Sequence, residues 1–493
     1  MLPQSHTHRV RSPARWLVGA VLLWCPACAV GQTGNRVEIN ADRVTVINGR
    51  KVFPIGLTQG PAVGALTPDG KNGLAELRSA GATFVRTGTH YAWNNEVSAA
   101  EQAWLDAVAD VGMYTWTYLG ETSTIAPGDT AKEAALRDVV NRFKSHRGLV
   151  FWKNYDEAAW AKTPVENLRR GYDIIRQEDP NHPVVQTHAP RLTVDELRPY
   201  NVATDMLNLD IYPISYPPGT HSLLDNKEIS MIGDWTRFVA DVADGRKPYW
   251  MTLQIAWSGV VKPGKTLRFP TFAEERFMAY QAIINGARGL NFFGGHLTTA
   301  MTPEDAELGW NWRFWGRVLR PVIEEIGEFS PLAPALVAAD SNLPIRVSGA
   351  SDVEFCVREV GADLFILACK REGATVNVEF SGLPDWAGPG SLMYEEPRSV
   401  TAANGSFTDW FAPFEVHVYR FRNTVSYGDF DRDDDVDQED FGHLQVCMSG
   451  FAIPQSDPTC GDANLDGDRL GDVSEGDLNV FLSHYTGPRA GAY

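Results

Sequence analysis

The stretch LVFWKNYDEAAW, Leu149 to Trp160, runs from an apolar segment into two adjacent carboxylates, Asp156 and Glu157, with aromatic residues on both sides. A carboxyl group at the rim of a buried strand is poorly solvated, so it holds its proton to higher pH and can deliver it to an oxygen atom. Glu157 is therefore a candidate general acid/base. Hydrolysis of an acetal by paired carboxyl groups needs a second member, and Asp210 in MLNLDIY is the best inward-facing candidate, with Glu121 next. Their separation from Glu157 would set the stereochemical outcome, about 5 to 5.5 Å for retention and about 6.5 to 9.5 Å for inversion.

Such groups must be held by a rigid frame. Short apolar segments at 52–58, 83–89, 113–119, 149–156, 183–188, 206–212, 249–256 and 289–294 read as strands. Helical stretches such as NLRRGYDIIRQE and EERFMAYQAIINGA separate them. Eight strand–helix units predict a (β/α)8 barrel with its site at the carboxyl ends of the strands. Before the first unit, VTVINGRKVFPIG places Asn48-Gly49 between two alternating segments, a strong hairpin signal.

Side-chain alternation then assigns faces. Leu207, Leu209 and Ile211 point to the helices, so Asn208, Asp210 and Tyr212 point inward; Thr252 and Gln254 do likewise. The same logic puts Arg86, Gln186 and His188 in the lumen, with His90 just beyond. A polar lumen needs a polar ligand to offset its cost. Trp93, Trp116, Trp152, Trp160, Trp257, Trp310 and Trp312 gather near strand ends and suit sugar rings, which stack on flat apolar faces.

The flanking segments differ in texture. Arg9, Arg11 and Arg15 precede an apolar run from Trp16 to Trp24 and the Ala27-Cys28-Ala29 site, which predicts a secretory signal over 1–29, a lipid-anchored Cys28 being the weaker alternative. No later segment supplies the ~20 apolar residues of a spanning helix, so a secreted or surface-attached protein is expected. The barrel is assigned to 30–326, and the short alternating segments of 327–423, such as DVEFCVREV and DLFILACKR, predict an antiparallel β-sandwich. Secretion permits disulfides. Cys447 with Cys460 is the favoured pair, whereas Cys356 and Cys369 are either a second pair or two buried thiols on neighbouring strands. The net charge of −18 argues against a nucleic-acid partner.

Much of that charge sits in residues 428 to 477, with 15 Asp or Glu against two Arg. Asp429, Asp431, Asp433, Asp435, Asp437 and Asp440 occupy positions 1, 3, 5, 7, 9 and 12 of one loop. Asp462, Asn464, Asp466 and Asp468 begin a second, longer loop that Asp477 closes. Alternate oxygens of a tight loop suit Ca2+, a hard cation taking six to eight oxygen ligands. The pair of loops, within 424–493, resembles a type I dockerin, which implies structural calcium and a cohesin-like protein partner.

The central region resembles glycoside hydrolases of clan A, the barrel clan of families 5 and 42. The likeness rests on NGRKVFPIG, the DE-containing fourth strand, LNLDIYP, and FAEERFMAYQAIINGARGLNFFGG. It implies Glu157 as acid/base, no catalytic cofactor, and a carbohydrate substrate held by Arg86, His188, Tyr212 and Gln254, with Trp257 stacking. It also implies a Glu nucleophile ending strand seven, where this chain has Gln254. An amide cannot attack an anomeric carbon. Either another carboxylate serves, Asp210 before Glu121, or the barrel binds carbohydrate without cleaving it.

Overall fold

The computed structural model describes residues 34–215, 217–255, 268–294, 297, 302–423, 428–431, 435–468 and 470–487. The expected leader, Trp257 and Asp433 lie outside the described residues.

The chain opens with a three-stranded meander, β1 (Val37–Ile39), β2 (Thr45–Ile47) and β3 (Arg50–Val52). Asn48 and Gly49 both take positive φ, 51° and 83°, the two-residue turn whose twist matches that of its strands. The meander buries Val37, Ile47 and Val52 against Phe84, Trp116, Phe151 and Trp250 of the barrel.

Eight parallel strands close the barrel: β4 (Ile55–Leu57), β5 (Phe84–Gly88), β6 (Tyr114–Tyr118), β7 (Leu149–Lys153), β8 (Val184–His188), β9 (Met206–Asp210), β10 (Tyr249–Gln254) and β11 (Leu290–Phe293). Each lies within a segment expected from the sequence. The lumen floor is aromatic, with Phe84 stacked on Trp250 at 5.6 Å and Phe151 edge-on to Trp250 at 4.8 Å. Gly56 makes room for it, since a Cβ there would stand 2.4 Å from the Phe84 ring. Above this floor the side chains turn polar. Asn208 donates to Thr187 Oγ1 at 3.1 Å and to Thr252 Oγ1 at 2.9 Å, and Asn291 donates to Thr252 Oγ1 at 3.3 Å.

Residues paired in register share a face, which corrects the reading of β8. Gln186 pairs with Leu207 and His188 with Leu209, both on the helix side, whereas Thr187 pairs with Asn208 and points inward. Parallel barrel strands are covered on both faces, so VVQTH offers no solvent-facing row from which to count.

The second domain packs a three-stranded sheet on a five-stranded one. The first holds β12 (Arg346–Ser348), β15 (Val376–Ser381) and β18 (Ser406–Phe411). The second runs β13 (Val353–Val360), β14 (Asp363–Lys370), β19 (Val416–Arg422), β16 (Pro389–Leu392) and β17 (Ser399–Thr401). One face of the larger sheet meets Phe380, Phe407 and Phe411, and the other presses Phe365, Leu367, Cys369, Val416 and Val418 onto the barrel helices. Burial on both faces explains why DLFILACK lacks polar alternation. The joint is also polar: Arg371 reaches Asp234 at 2.8 and 3.0 Å, and the helix Phe272–Ile284 sends Arg276 to Val416 O at 2.9 Å.

Cys356 and Cys369 are free thiols on adjacent strands, Cys369 facing Glu354 and Cys356 facing Leu367. Cys447 and Cys460 form a disulfide. That bond lies in a separate small core with Val436, Leu444, Val473 and Phe481, between the helices Gln438–Cys447 and Glu475–His484. No helix among the described residues is long and apolar enough to cross a membrane.

Candidate active site

At the carboxyl ends of the barrel strands lies a cavity of about 410 Å³ whose walls include Glu157, Asp210, Arg86, Tyr212 and Thr252. Strand β7 delivers Lys153 to its floor. The chain then turns: Asn154 is pinned through Nδ2 to Ala203 O at 3.0 Å, and the Asp156 N–H donates to Tyr118 Oη at 3.2 Å. Glu157 adopts φ 46° while its N–H donates to Thr187 O at 3.1 Å. A left-handed backbone in a non-glycine residue costs about 1–3 kcal/mol and persists only where the surroundings impose it. Here it aims the Glu157 carboxyl across the mouth.

The Glu157 and Asp210 carboxyl groups line the same cavity, near enough to influence each other's titration. Both titrate above the ordinary range. Burial and then the Asp156 charge raise Glu157, against the pull of Lys153 and Arg191. Asp210 is raised further, by burial and then by the charges of Glu157 and Asp156. Tyr212 lines the cavity beside Asp210, and His221 Nε2 stands 3.9 Å from Asp210 Oδ2. The Tyr212 N–H donates to His221 Nδ1 at 3.2 Å, which leaves the Nε2 proton facing Asp210. Tyr212 is sandwiched between His221 at 4.3 Å and Phe293 at 5.2 Å. Like charges brought together in a low-dielectric site cannot both ionise readily, which is why both members titrate high.

Asp156 takes the other role. It is ion-paired to the buried Lys153, whose ammonium lies 4.4 Å from the Tyr118 ring centroid. Burial opposes ionisation of Asp156, yet Lys153 and Arg86 hold its pKa below the usual value. The sequence marked Lys153 and Asp156 only as neighbours of Glu157. It gave no sign of Arg191 and His221, which loops bring in after β8 and β9 and which also line the cavity. Arg191 donates to the carbonyls of Pro190 and His221 and lies 6.0 Å from the Trp160 ring, which is 53% exposed.

Several expected site residues lie elsewhere. Gln254 shares the inward face of Phe293, but its amide is engaged by the backbone of Ile214: Nε2 donates to Ile214 O at 2.5 Å and Oε1 accepts from Ile214 N–H at 2.8 Å. His188 is fully buried away from the cavity, with both ring nitrogens unpartnered and its pKa lowered to about 4 by burial and then Lys153. Glu121 is exposed on a short helical turn outside the cavity. Of the aromatic set, Trp116 and Trp160 line the cavity, while Trp152 donates to Asp179 at 2.7 Å on the helix side and Trp310 and Trp312 pack together at 4.6 Å.

In the C-terminal segment, carboxylate oxygens of Asp429, Asp431 and Asp440 lie within 4.8 Å of one another, as do those of Asp435, Asp437 and Asp440. Oxygen atoms so gathered fit a hard divalent cation. The second loop repeats the closing device. Asp440 accepts from Asp431 N at 3.1 Å and Asp437 N at 3.0 Å, and Asp477 accepts from Asp466 N at 3.1 Å and Ser474 N at 2.8 Å. Asp472 precedes Asp477 as Asp435 precedes Asp440, a correspondence the lengthened loop hid; its carboxylate accepts from the Ala452 N–H.

Neither a family profile nor a curated protein sequence matches the chain. Solved structures do. A glycoside hydrolase family 5 protein from Bacteroides vulgatus ATCC 8482 aligns with a TM-score of 0.57 at 12% identity, over 79% of this chain and 93% of its own. A second solved glycoside hydrolase aligns with a TM-score of 0.52 at 12% identity, over 79% and 97%. The barrel followed by antiparallel sheets is thus a fold this chain shares with glycoside hydrolases.

Proposed function

We propose that the protein is a glycoside hydrolase in which Glu157 and Asp210 act as one acid–base pair. The reading is carried by the placement of two carboxyl groups in one cavity at the strand ends, both titrating above the ordinary range and Asp210 further above it. Asp210, the more strongly raised member, delivers its proton to the glycosidic oxygen as the bond from that oxygen to the anomeric carbon breaks. Glu157, the more exposed member, removes a proton from the attacking water, which supplies the new C–O bond. This divides the acid and base roles that the sequence placed together on Glu157. Their separation in the substrate complex decides whether the anomeric configuration is retained or inverted. Trp160 offers the exposed ring face for stacking.

A second reading, a barrel that binds carbohydrate without cleaving it, is favoured by the amide of Gln254 at the end of β10. Release of reducing ends from a polysaccharide panel separates the two. Hydrolysis lost in both Glu157→Gln and Asp210→Asn supports the enzyme; binding with no hydrolysis by the unaltered protein supports the alternative.

The reading extends to calcium held in the C-terminal loops, with Asp429, Asp431, Asp435 and Asp440 in the first and Asp462, Asn464, Asp466, Asp468 and Asp477 in the second. The resemblance to dockerins makes this segment an attachment module for a cohesin-like partner, and the leader makes the protein secreted. A pull-down with a cohesin domain, repeated after chelation, tests the attachment.

A further inference from the structure

Arg86 sits on the inward face of β5 and forms part of the wall of two cavities, the one of about 410 Å³ that holds Glu157 and Asp210 and a neighbour of about 580 Å³ over β4 to β6. It has no hydrogen-bond or ion-pair partner among the described residues; its guanidinium carbon lies 5.6 Å from the Tyr118 ring centroid. The nearby carboxylate, Asp156, is already bound to Lys153. Arg191, across the same cavity, has no carboxylate within ion-pair distance among the described residues and donates to two carbonyl oxygens. Three basic side chains, Arg86, Lys153 and Arg191, thus line a cavity with three carboxyl groups, Asp156, Glu157 and Asp210, and Arg86 is the one of the three with neither an ion pair nor a hydrogen bond among the described residues. A half-buried guanidinium that bonds no side chain keeps its donors for a ligand, and its planar fork matches the geometry of a bound oxyanion.

We propose that the saccharide taken by this barrel carries an anionic group, a uronate carboxylate or a sulfate ester, bound by Arg86 where the two cavities meet. This deepens the hydrolase reading and rests on it for the saccharide, while the charge on the ligand stands on Arg86 and its surroundings. One cavity would take the sugar whose bond is cut, and the other the continuing chain.

The test uses the full chain carrying Glu157→Gln, so that binding is read without turnover. Titration calorimetry compares uronate polysaccharides with their carboxyl-reduced twins, and sulfated galactans with their desulfated twins. At least one acidic polymer should bind about tenfold more tightly than its neutral twin, the weight of one charge-assisted hydrogen bond. That preference should vanish in Glu157→Gln/Arg86→Gln and survive in part in Glu157→Gln/Arg86→Lys, which keeps charge without the fork. Preference in the uronate arm assigns a carboxylate, and preference in the sulfate arm assigns a sulfate ester. Equal binding of the twins, a preference untouched by Arg86→Gln in a variant of unchanged melting temperature, or no acidic ligand in either arm overturns the proposal. Reducing ends released from neutral polymers alone overturn it and leave the hydrolase standing. Acid-selective binding without any cleavage by the unaltered protein does the reverse.

Discussion

Gln254 and Ile214 are clasped by two reciprocal hydrogen bonds, the side-chain amide of one closing on the backbone amide of the other at 2.5 and 2.8 Å. The strand-seven end therefore braces the loop that follows Asp210 and carries Tyr212. Gln254→Glu replaces the donor facing the Ile214 carbonyl with a second acceptor. We expect a loss of about 1–3 kcal/mol in stability and no gain in hydrolysis. Thermal unfolding and a reducing-end assay check both; an active, unperturbed variant would return the nucleophile role to this position.

Glu157 stores backbone strain at φ 46° and buries an acid that resists ionisation. Asn tolerates the left-handed region better. Glu157→Asn is expected to abolish hydrolysis while its melting temperature stays level with or above that of the unaltered protein. A clear drop in melting temperature would show that the carboxylate is structural.

Asp156 raises both members of the pair, and its counter-ion Lys153 lowers Glu157. Asp156→Asn removes the raising charge and leaves the lysine uncompensated, so both limbs of a bell-shaped pH–rate profile should move to lower pH. Movement to higher pH contradicts this electrostatic account.

Asp210 also makes stability depend on pH. Its folded pKa lies above the unfolded one, so its contribution is complete below the ordinary carboxylate range and is lost as pH rises through the raised value. Asp210→Asn should therefore lose less stability than the unaltered protein between acid and neutral pH, as followed by melting temperature. Parallel curves would mean that Asp210 ionises normally.

Asp440 belongs to both carboxylate groups of the first loop and also binds the backbone of Asp431 and Asp437. Calcium should raise the unfolding temperature of the segment around the Cys447–Cys460 bond, chelation should reverse this, and Asp440→Asn should remove most of the response. Calorimetry of the full chain reads the transition.

The sequence by itself determined the elements whose signals are local. The Asn48-Gly49 turn, the eight strand–helix units, the sandwich segments and the alternating carboxylates of the acidic tail depend on spacing along a few residues, and spacing is written directly in the chain. Tertiary structure decided what depends on approach between distant segments. The facing of Gln186 and His188 was hidden because β8 is buried on both sides. The amide of Gln254 is spent on a loop forty residues earlier. Arg191 and His221 arrive on loops without periodicity. Above all, the raised titration of Glu157 and Asp210 follows from burial of both carboxyl groups in one mouth, and low dielectric and proximity are properties of the fold, not of any stretch of sequence.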